Sequence, residues 1–365
     1  MLPAGGRAGG PDCGAGVSVD GTSHTVRLTT SDQVTLTFDV PEGMSVLDAA
    51  AAAGYVLPGL CHQGTCGSCH TKATGSYRLG PHSCEALPPD AVAGGTVLAC
   101  CTYVSGPVDV TASYPRSRVT DGVPRRREGV VTDVAQVASQ MVWVRVALDP
   151  DESAGAGYQF DPGQFVEVQV PGDERRRAYS LANTGNWEGV AELLVTARPD
   201  GYFSGFCQDL LERWPAEQRL VLHGPTGAFG LRESGRRPRW FVAGGTGLSA
   251  VLSMVRRMAE WGEPHPVRLF LGVPTLADLP RLPVVGKLIT TMPTLKVAVC
   301  VEHPDDSWAG SVGDLLGSLR TAVDAHTGTA PDIYVCGPPG LVDAVTKFAD
   351  DAGLPPVISE RVLPT

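Results

Sequence analysis

Residues 61–70, CHQGTCGSCH, place three cysteines and two histidines within ten positions. A loop this dense in sulfur and imidazole folds around what it holds: a zinc ion, an iron–sulfur cluster or a set of disulfides. The spacing Cys61-x4-Cys66-x2-Cys69, with Cys100 far downstream, is the plant-type [2Fe–2S] ligand pattern. Zinc sites favour paired C-x2-C or H-x3-H arms, which the gap between Cys61 and Cys66 fits less well. Gly64 and Gly67 suit a chain that turns sharply and aims backbone N–H groups at sulfur. His62 and His70 replace no cysteine of the pattern and read as surface loop residues. Cys101 adjoins Cys100, and strand alternation sends one of the pair toward the loop. Cys100 is the choice, so the expected metal ligands are Cys61, Cys66, Cys69 and Cys100.

The setting bears on that choice. Residues 1–20 are Gly-rich without an apolar segment, which reads as a disordered lead-in rather than a secretory signal. No run of apolar residues is long enough to span a bilayer. A cytoplasmic protein is expected, where cysteines stay reduced. The formal charge of −10 argues against nucleic acid and fits a protein that meets a basic docking patch.

A chain of 365 residues divides into two or three domains. Residues 24–39 alternate around Ser31-Asp32 as a hairpin does. Ser45 then caps a short Ala-rich helix ending near Gly54, the cysteine loop follows, and 70–79 and 95–111 read as strands. This is an α+β unit over 21–113. Residues 114–128 form a linker in which Arg125, Arg126 and Arg127 read as a solvated charge run. From 129 to 236, closely spaced strands (GVVTDVAQ, MVWVRVAL, GQFVEVQVPG, AELLVTA, QRLVLHGP) indicate a small antiparallel β-barrel, broken by a helix near Ser204–Arg213. From 237 to 365, apolar strands alternate with helices, which reads as an open parallel α/β sheet.

Three further motifs carry chemistry. In Arg177-Ala-Tyr179-Ser180, an Arg can neutralise a pyrophosphate, a Tyr can stack on an isoalloxazine, and a Ser hydroxyl can bond the reactive flavin nitrogen. Gly201 and Ser204 open the barrel's helix, whose N-terminus makes an anion site. FVAGGTGLS (Phe241–Ser249) joins a strand to a helix, so that Gly244, Gly245, Thr246 and Gly247 let backbone amides approach a dinucleotide. Cys336, Gly337 and Pro338 lie at the carboxyl end of another strand, where α/β ligands bind. Cys336 reads equally as a buried small hydrophobe, as do Cys207 and Cys300.

Taken in this order, the motifs resemble the NADH-dependent reductase components of bacterial multicomponent oxygenases, within the ferredoxin–NADP reductase superfamily. The resemblance covers roughly 22–365. SCEALPPDAVAGGTVLACCTY, RRPRWFVAGGTGLSAVLSMVRRMAEW and SERVLPT look closest to reductases of soluble di-iron monooxygenases of the methane monooxygenase type. It implies a β-grasp-like ferredoxin domain, a flavin barrel and a nicotinamide domain. It also implies FAD contacts from Arg177, Tyr179, Ser180, Gly201 and Ser204. NADH contacts are implied for Gly244 to Gly247 and Cys336 to Pro338, and a carboxylate near the flavin edge for Glu360. The family's ligand position supports Cys100 over Cys101. Val362 stands where relatives often carry an aromatic residue, Thr196 where many carry a basic one, and Ala250 where Pro is usual.

The expected function is a monomeric electron-transfer reductase that takes hydride from NADH onto FAD. Single electrons then pass through the [2Fe–2S] cluster to a di-iron hydroxylase. Ser180, Cys336 and Glu360 are expected to shape the hydride step. Asp278 in GVPTLADLPR, with a cation only later at Arg281, favours NADH over its 2′-phosphorylated form. Competing readings are a reductase for a Rieske-type dioxygenase, a non-catalytic redox sensor and a zinc-stabilised binding module.

Overall fold

The computed structural model describes residues 22–362, apart from 60–61, 65–66, 85, 123–124, 152–154, 199–200, 216 and 233–234. The expected lead-in, and the expected ligands Cys61 and Cys66, lie outside the described residues.

Strict alternation of buried and exposed side chains builds the first sheet from β1 (Ser23–Thr29) and β2 (Thr35–Pro41). β3 (Tyr55–Val56), β4 (His70–Leu79), β5 (Thr96–Leu98), β6 (Thr102–Ala112) and β7 (Thr120–Asp121) follow. The sheet runs β2-β1-β6-β4-β5, with β1 and β6 parallel. Helix α1 (Val46–Ala52) starts where Ser45 Oγ accepts the Asp48 N–H at 3.1 Å, and α2 (Pro89–Ala93) is a single turn. α1 buries Val46, Leu47, Ala49 and Ala50 in the core of this domain.

Three expectations change here. Ala99–Cys101 is a 3-10 turn rather than a strand. Its tighter winding sets neighbours about a third of a turn apart, so strand alternation cannot choose between Cys100 and Cys101, both of which are buried. The stretch expected as a linker carries structure: β7 pairs with β3 through Val56–Thr120 and Tyr55–Asp121. Arg127 is not solvated. It is 5% exposed, and its guanidinium donates to the carbonyls of Asp149 and Gly157.

The second sheet contains β8 (Arg126–Ala138), β9 (Met141–Leu148), β10 (Phe165–Gln169), β11 (Arg176–Ser180), β12 (Val190–Thr196) and β13 (Arg219–Thr226). Their order is β11-β10-β13-β8-β9-β12. A Leu181–Leu193 bridge joins the two ends into a barrel. The Arg177–Ser180 motif is therefore itself a strand, paired antiparallel with β10. Helix α3 (Tyr202–Arg213) buries Phe203, Cys207 and Leu210 in the barrel core.

The third sheet is wholly parallel: β14 (Arg239–Gly244), β15 (Val267–Val273), β16 (Leu295–Val301), β17 (Ser311–Val312), β18 (Asp332–Gly337) and β19 (Ile358–Arg361). Its order, β17-β16-β15-β14-β18-β19, reverses beside β14, and the crevice at such a reversal is where open α/β sheets bind ligands. α4 (Leu248–Glu260), α5 (Pro283–Thr291), α6 (Leu315–Asp324) and α7 (Pro339–Asp351) cover its faces. β14 and β18 are buried along their whole length. Among the described residues no helix is long and apolar enough to cross a membrane.

Candidate functional site: a cluster loop, a flavin strand and a switch-point crevice

In the cysteine loop, Gly64 and Gly67 adopt φ of 72° and 71°, a region that side chains other than glycine rarely enter. A Cβ on Gly64 would stand 2.6 Å from Cys101 Sγ and 2.8 Å from the Pro81 carbonyl. Cys69 Sγ lies 3.4 Å from Cys100 Sγ. That is far beyond a disulfide bond of about 2.05 Å between the two, and the convergence of two buried sulfurs from distant parts of the chain fits a shared metal group. Cys101 Sγ is 3.6 Å from Cys100 Sγ, but its own hydrogen is turned to the Pro81 carbonyl at 3.2 Å.

The two histidines are not plain surface residues. His70 opens β4, with Nε2 2.5 Å from the Ala86 carbonyl. His62 holds φ of 51°. Its Nδ1 is 3.0 Å from Asp48 Oδ1 and its Nε2 4.0 Å from Glu167 Oε1 across the domain boundary.

On β11, Arg177 is half-buried and Nη1 donates to the Arg176 carbonyl at 2.9 Å. Tyr179 is buried, its ring tilted against Phe203 at 5.1 Å. Ser180, at the strand end, sits opposite Phe165. Gly201 caps α3, and a Cβ there would be 2.1 Å from Ser204 Oγ. Ser204 donates to the Arg198 carbonyl at 2.9 Å, so the backbone N–H groups of the first turn, rather than this hydroxyl, are the donors left for an anion. Those donors and Arg177 fit a pyrophosphate.

At the switch point the two glycine motifs meet. Ala243 pairs with Cys336, and a Cβ on Gly247 would be 2.2 Å from the Cys336 carbonyl. A Cβ on Gly244 would be 3.1 Å from Pro338 Cδ. Gly245 and Thr246 form the intervening 3-10 turn into α4. Ser249 Oγ, in the first turn of α4, is buried without a hydrogen-bond partner among the described residues, an orphan that a bound dinucleotide can satisfy.

Cys336 is fully buried, and burial pushes its thiol well above the usual range. It is a neutral thiol in register with Glu360 on β19. Part of Glu360 reaches the surface, but Oε2 is buried without a partner among the described residues. Burial pushes this carboxyl up to about 7, and the nearby Arg118 guanidinium pulls the other way. Arg118, from the stretch expected as a linker, was not singled out in the sequence, because no local motif marks a contact with a strand so distant in the chain. Val362 packs on the core of the nicotinamide domain and donates to the Gly337 carbonyl at 2.8 Å. Asp278 is held in a capping box with Thr275 and accepts from Ser139.

Between the first domain and the barrel lies a cavity of about 50 Å³. Leu47, Leu57, His62, Phe165, Glu167 and Thr226 line it. Through Phe165, opposite Ser180, it joins the cysteine loop to the flavin motif.

These three sites, in one chain, define a flavin iron–sulfur oxidoreductase dependent on NADH. The chain matches the 2Fe-2S iron-sulfur cluster binding domain over 29–105, the oxidoreductase FAD-binding domain over 128–230 and the oxidoreductase NAD-binding domain over 241–347. It is 32% identical to the toluate 1,2-dioxygenase electron transfer component of Pseudomonas putida, over 92% of this chain and 96% of that protein. It is also 32% identical to methane monooxygenase component C of Methylosinus trichosporium, over 72% of this chain and 77% of that protein. The solved Amycolatopsis cytochrome P450 reductase GcoB superposes with a TM-score of 0.75 at 26% identity, covering 93% of this chain and 99% of that one. The chain belongs to the family of reductase components that supply electrons to multicomponent monooxygenases and dioxygenases.

Proposed function

We propose that this reductase serves the di-iron hydroxylase of a multicomponent hydrocarbon monooxygenase. In this reading Cys61, Cys66, Cys69 and Cys100 hold the cluster, and the protein works as a cytoplasmic monomer. The observation that supports the site assignment is that His62 of the cysteine loop and Phe165, paired with Ser180, line one cavity. When bound, FAD and the cluster convert the two-electron donation of NADH into single-electron steps.

The chain's own residues bind and orient. Arg177 and the first turn of α3, opened by Gly201 and Ser204, take the flavin pyrophosphate. Tyr179 takes the ring face and Ser180 offers its hydroxyl to the reactive nitrogen. Gly244, Gly245, Thr246 and Gly247 admit the NADH pyrophosphate at the start of α4, while Cys336, Gly337 and Pro338 shape the nicotinamide slot. Cys336 acts by packing, since its thiol stays protonated. Glu360 retains its proton up to about pH 7, so its carboxyl is a neutral group able to donate a hydrogen bond below that pH and carries charge above it. Asp278, in the stretch after β15 where a 2′-phosphate would call for a cation, supports NADH over its 2′-phosphorylated form.

The similarity to methane monooxygenase component C supports the di-iron partner, as does 29% identity to the propane 2-monooxygenase reductase of Rhodococcus jostii. The equal identity to the toluate dioxygenase component favours a second reading, a Rieske-type partner. Purified reductase paired with a di-iron hydroxylase and with a Rieske oxygenase separates them. Substrate oxidation coupled to NADH with the hydroxylase alone is expected, and coupling with the Rieske component alone overturns the proposal.

A further inference from the structure

His62 holds a left-handed backbone conformation at φ 51°. Such a conformation persists in a side-chain-bearing residue when the surroundings over-determine it. Here they do so from two domains. Nδ1 meets Asp48 Oδ1 at 3.0 Å, and Ser45 Oγ in turn donates to Asp48 Oδ2 at 2.6 Å. Nε2 faces Glu167 Oε1 at 4.0 Å, and Arg176 Nη1 flanks Glu167 Oε2 at 3.7 Å. A continuous polar chain, Asp48–His62–Glu167–Arg176, therefore runs from the first turn of α1 to β11. Around it the seam is loose: the cavity between Leu47, Leu57 and Phe165 leaves the apolar surfaces short of contact. Apolar contact is incomplete at this cavity, so the polar chain shares in holding the two domains in register.

We propose that His62 is a positioning residue for the electron path. By tying Asp48 of the first domain to Glu167 of the barrel, it holds the described part of the cysteine loop, from His62 to Gly64, against the flavin strand. It thereby sets how fast electrons cross the seam. The proposal rests on reading that loop as the cluster loop. The step it serves moves one electron, lost by the reduced flavin and gained by one iron of the cluster, with NADH as the source.

The test uses anaerobic holoprotein mixed rapidly with NADH, following flavin absorbance and, by freeze-quench, the paramagnetic signal of the reduced cluster. His62→Ala is expected to slow cluster reduction about tenfold, as small misplacements of reacting partners do. Flavin reduction, iron content and cluster midpoint potential are expected to stay unchanged. His62→Asn, which tolerates the same backbone conformation and keeps a donor at the Nδ1 position but is too short to reach Glu167, is expected to stay nearly as slow as His62→Ala. Glu167→Gln, on the barrel side and away from the cysteines, is expected to slow the same step and to add little to His62→Ala. Unchanged cluster reduction in both single variants overturns the proposal, as does equal slowing of flavin reduction. If His62→Ala loses iron, Glu167→Gln decides. Wild-type protein without a cluster signal sinks the functional reading instead.

Discussion

Cys100 and Cys101 are chain neighbours, both buried, yet their sulfurs meet different things. Cys100 converges on Cys69, whereas Cys101 turns to the Pro81 carbonyl under Gly64. Cys100→Ser is therefore expected to lose most of the bound iron and the visible iron–sulfur absorbance. Cys101→Ser is expected to keep both, and iron analysis of the two purified variants decides. Glu360 gives a second expectation at this scale. Its folded-state carboxyl titrates at about 7 against an ordinary value of 4.5, so between these values the folded protein binds more protons than the unfolded chain. Stability tied to this group is complete below pH 4.5 and is lost as pH rises through 7. Glu360→Gln removes that slope and is expected to exceed wild type at pH 8 by up to about 3 kcal/mol, read from thermal unfolding of holoprotein across pH 5 to 8.

Elements were legible where local signals and tertiary packing agree. The β1–β2 hairpin, the Ser45 cap and the strand–turn–helix at Gly244–Gly247 all sit where alternation, capping and glycine spacing point. Helix α5 was not read, since PVVGKLITT is rich in β-branched residues that resemble a strand; its Pro283 at the first turn was the available signal. β11 was hidden because Arg-Arg-Ala-Tyr-Ser lacks alternation and is made a strand by its neighbour β10. Arg127 looked solvated from its charge, yet β8 carries it inward to the carbonyls of Asp149 and Gly157. Arg127→Met strands those acceptors and is expected to cost about 2–3 kcal/mol. Arg125→Met, at an exposed position, is expected to stay within about 0.5 kcal/mol, and denaturant unfolding of both checks the contrast. Gly247→Ala drives a methyl to 2.2 Å from the Cys336 carbonyl. It is expected to destabilise the nicotinamide domain by about 1–3 kcal/mol, visible as a lower unfolding midpoint and a raised KM for NADH.

At the scale of the whole molecule, the order of domains was legible because each cofactor imposes a short local motif. What joins the domains was not. His62 with Glu167, and Arg118 beside Glu360, pair residues far apart in the chain and follow no spacing rule. These contacts set a cysteine loop against a flavin strand and bring the stretch before β8 close to the last strand of the nicotinamide domain. Electrons from NADH are expected to reach the cluster inside this one chain. The direct measurement is anaerobic addition of NADH to holoprotein without any oxygenase, monitored by flavin absorbance and by electron paramagnetic resonance of the cluster. Flavin bleaching followed within the same turnover by the reduced [2Fe–2S] signal is the predicted result. Flavin that bleaches while the cluster stays oxidised would contradict it.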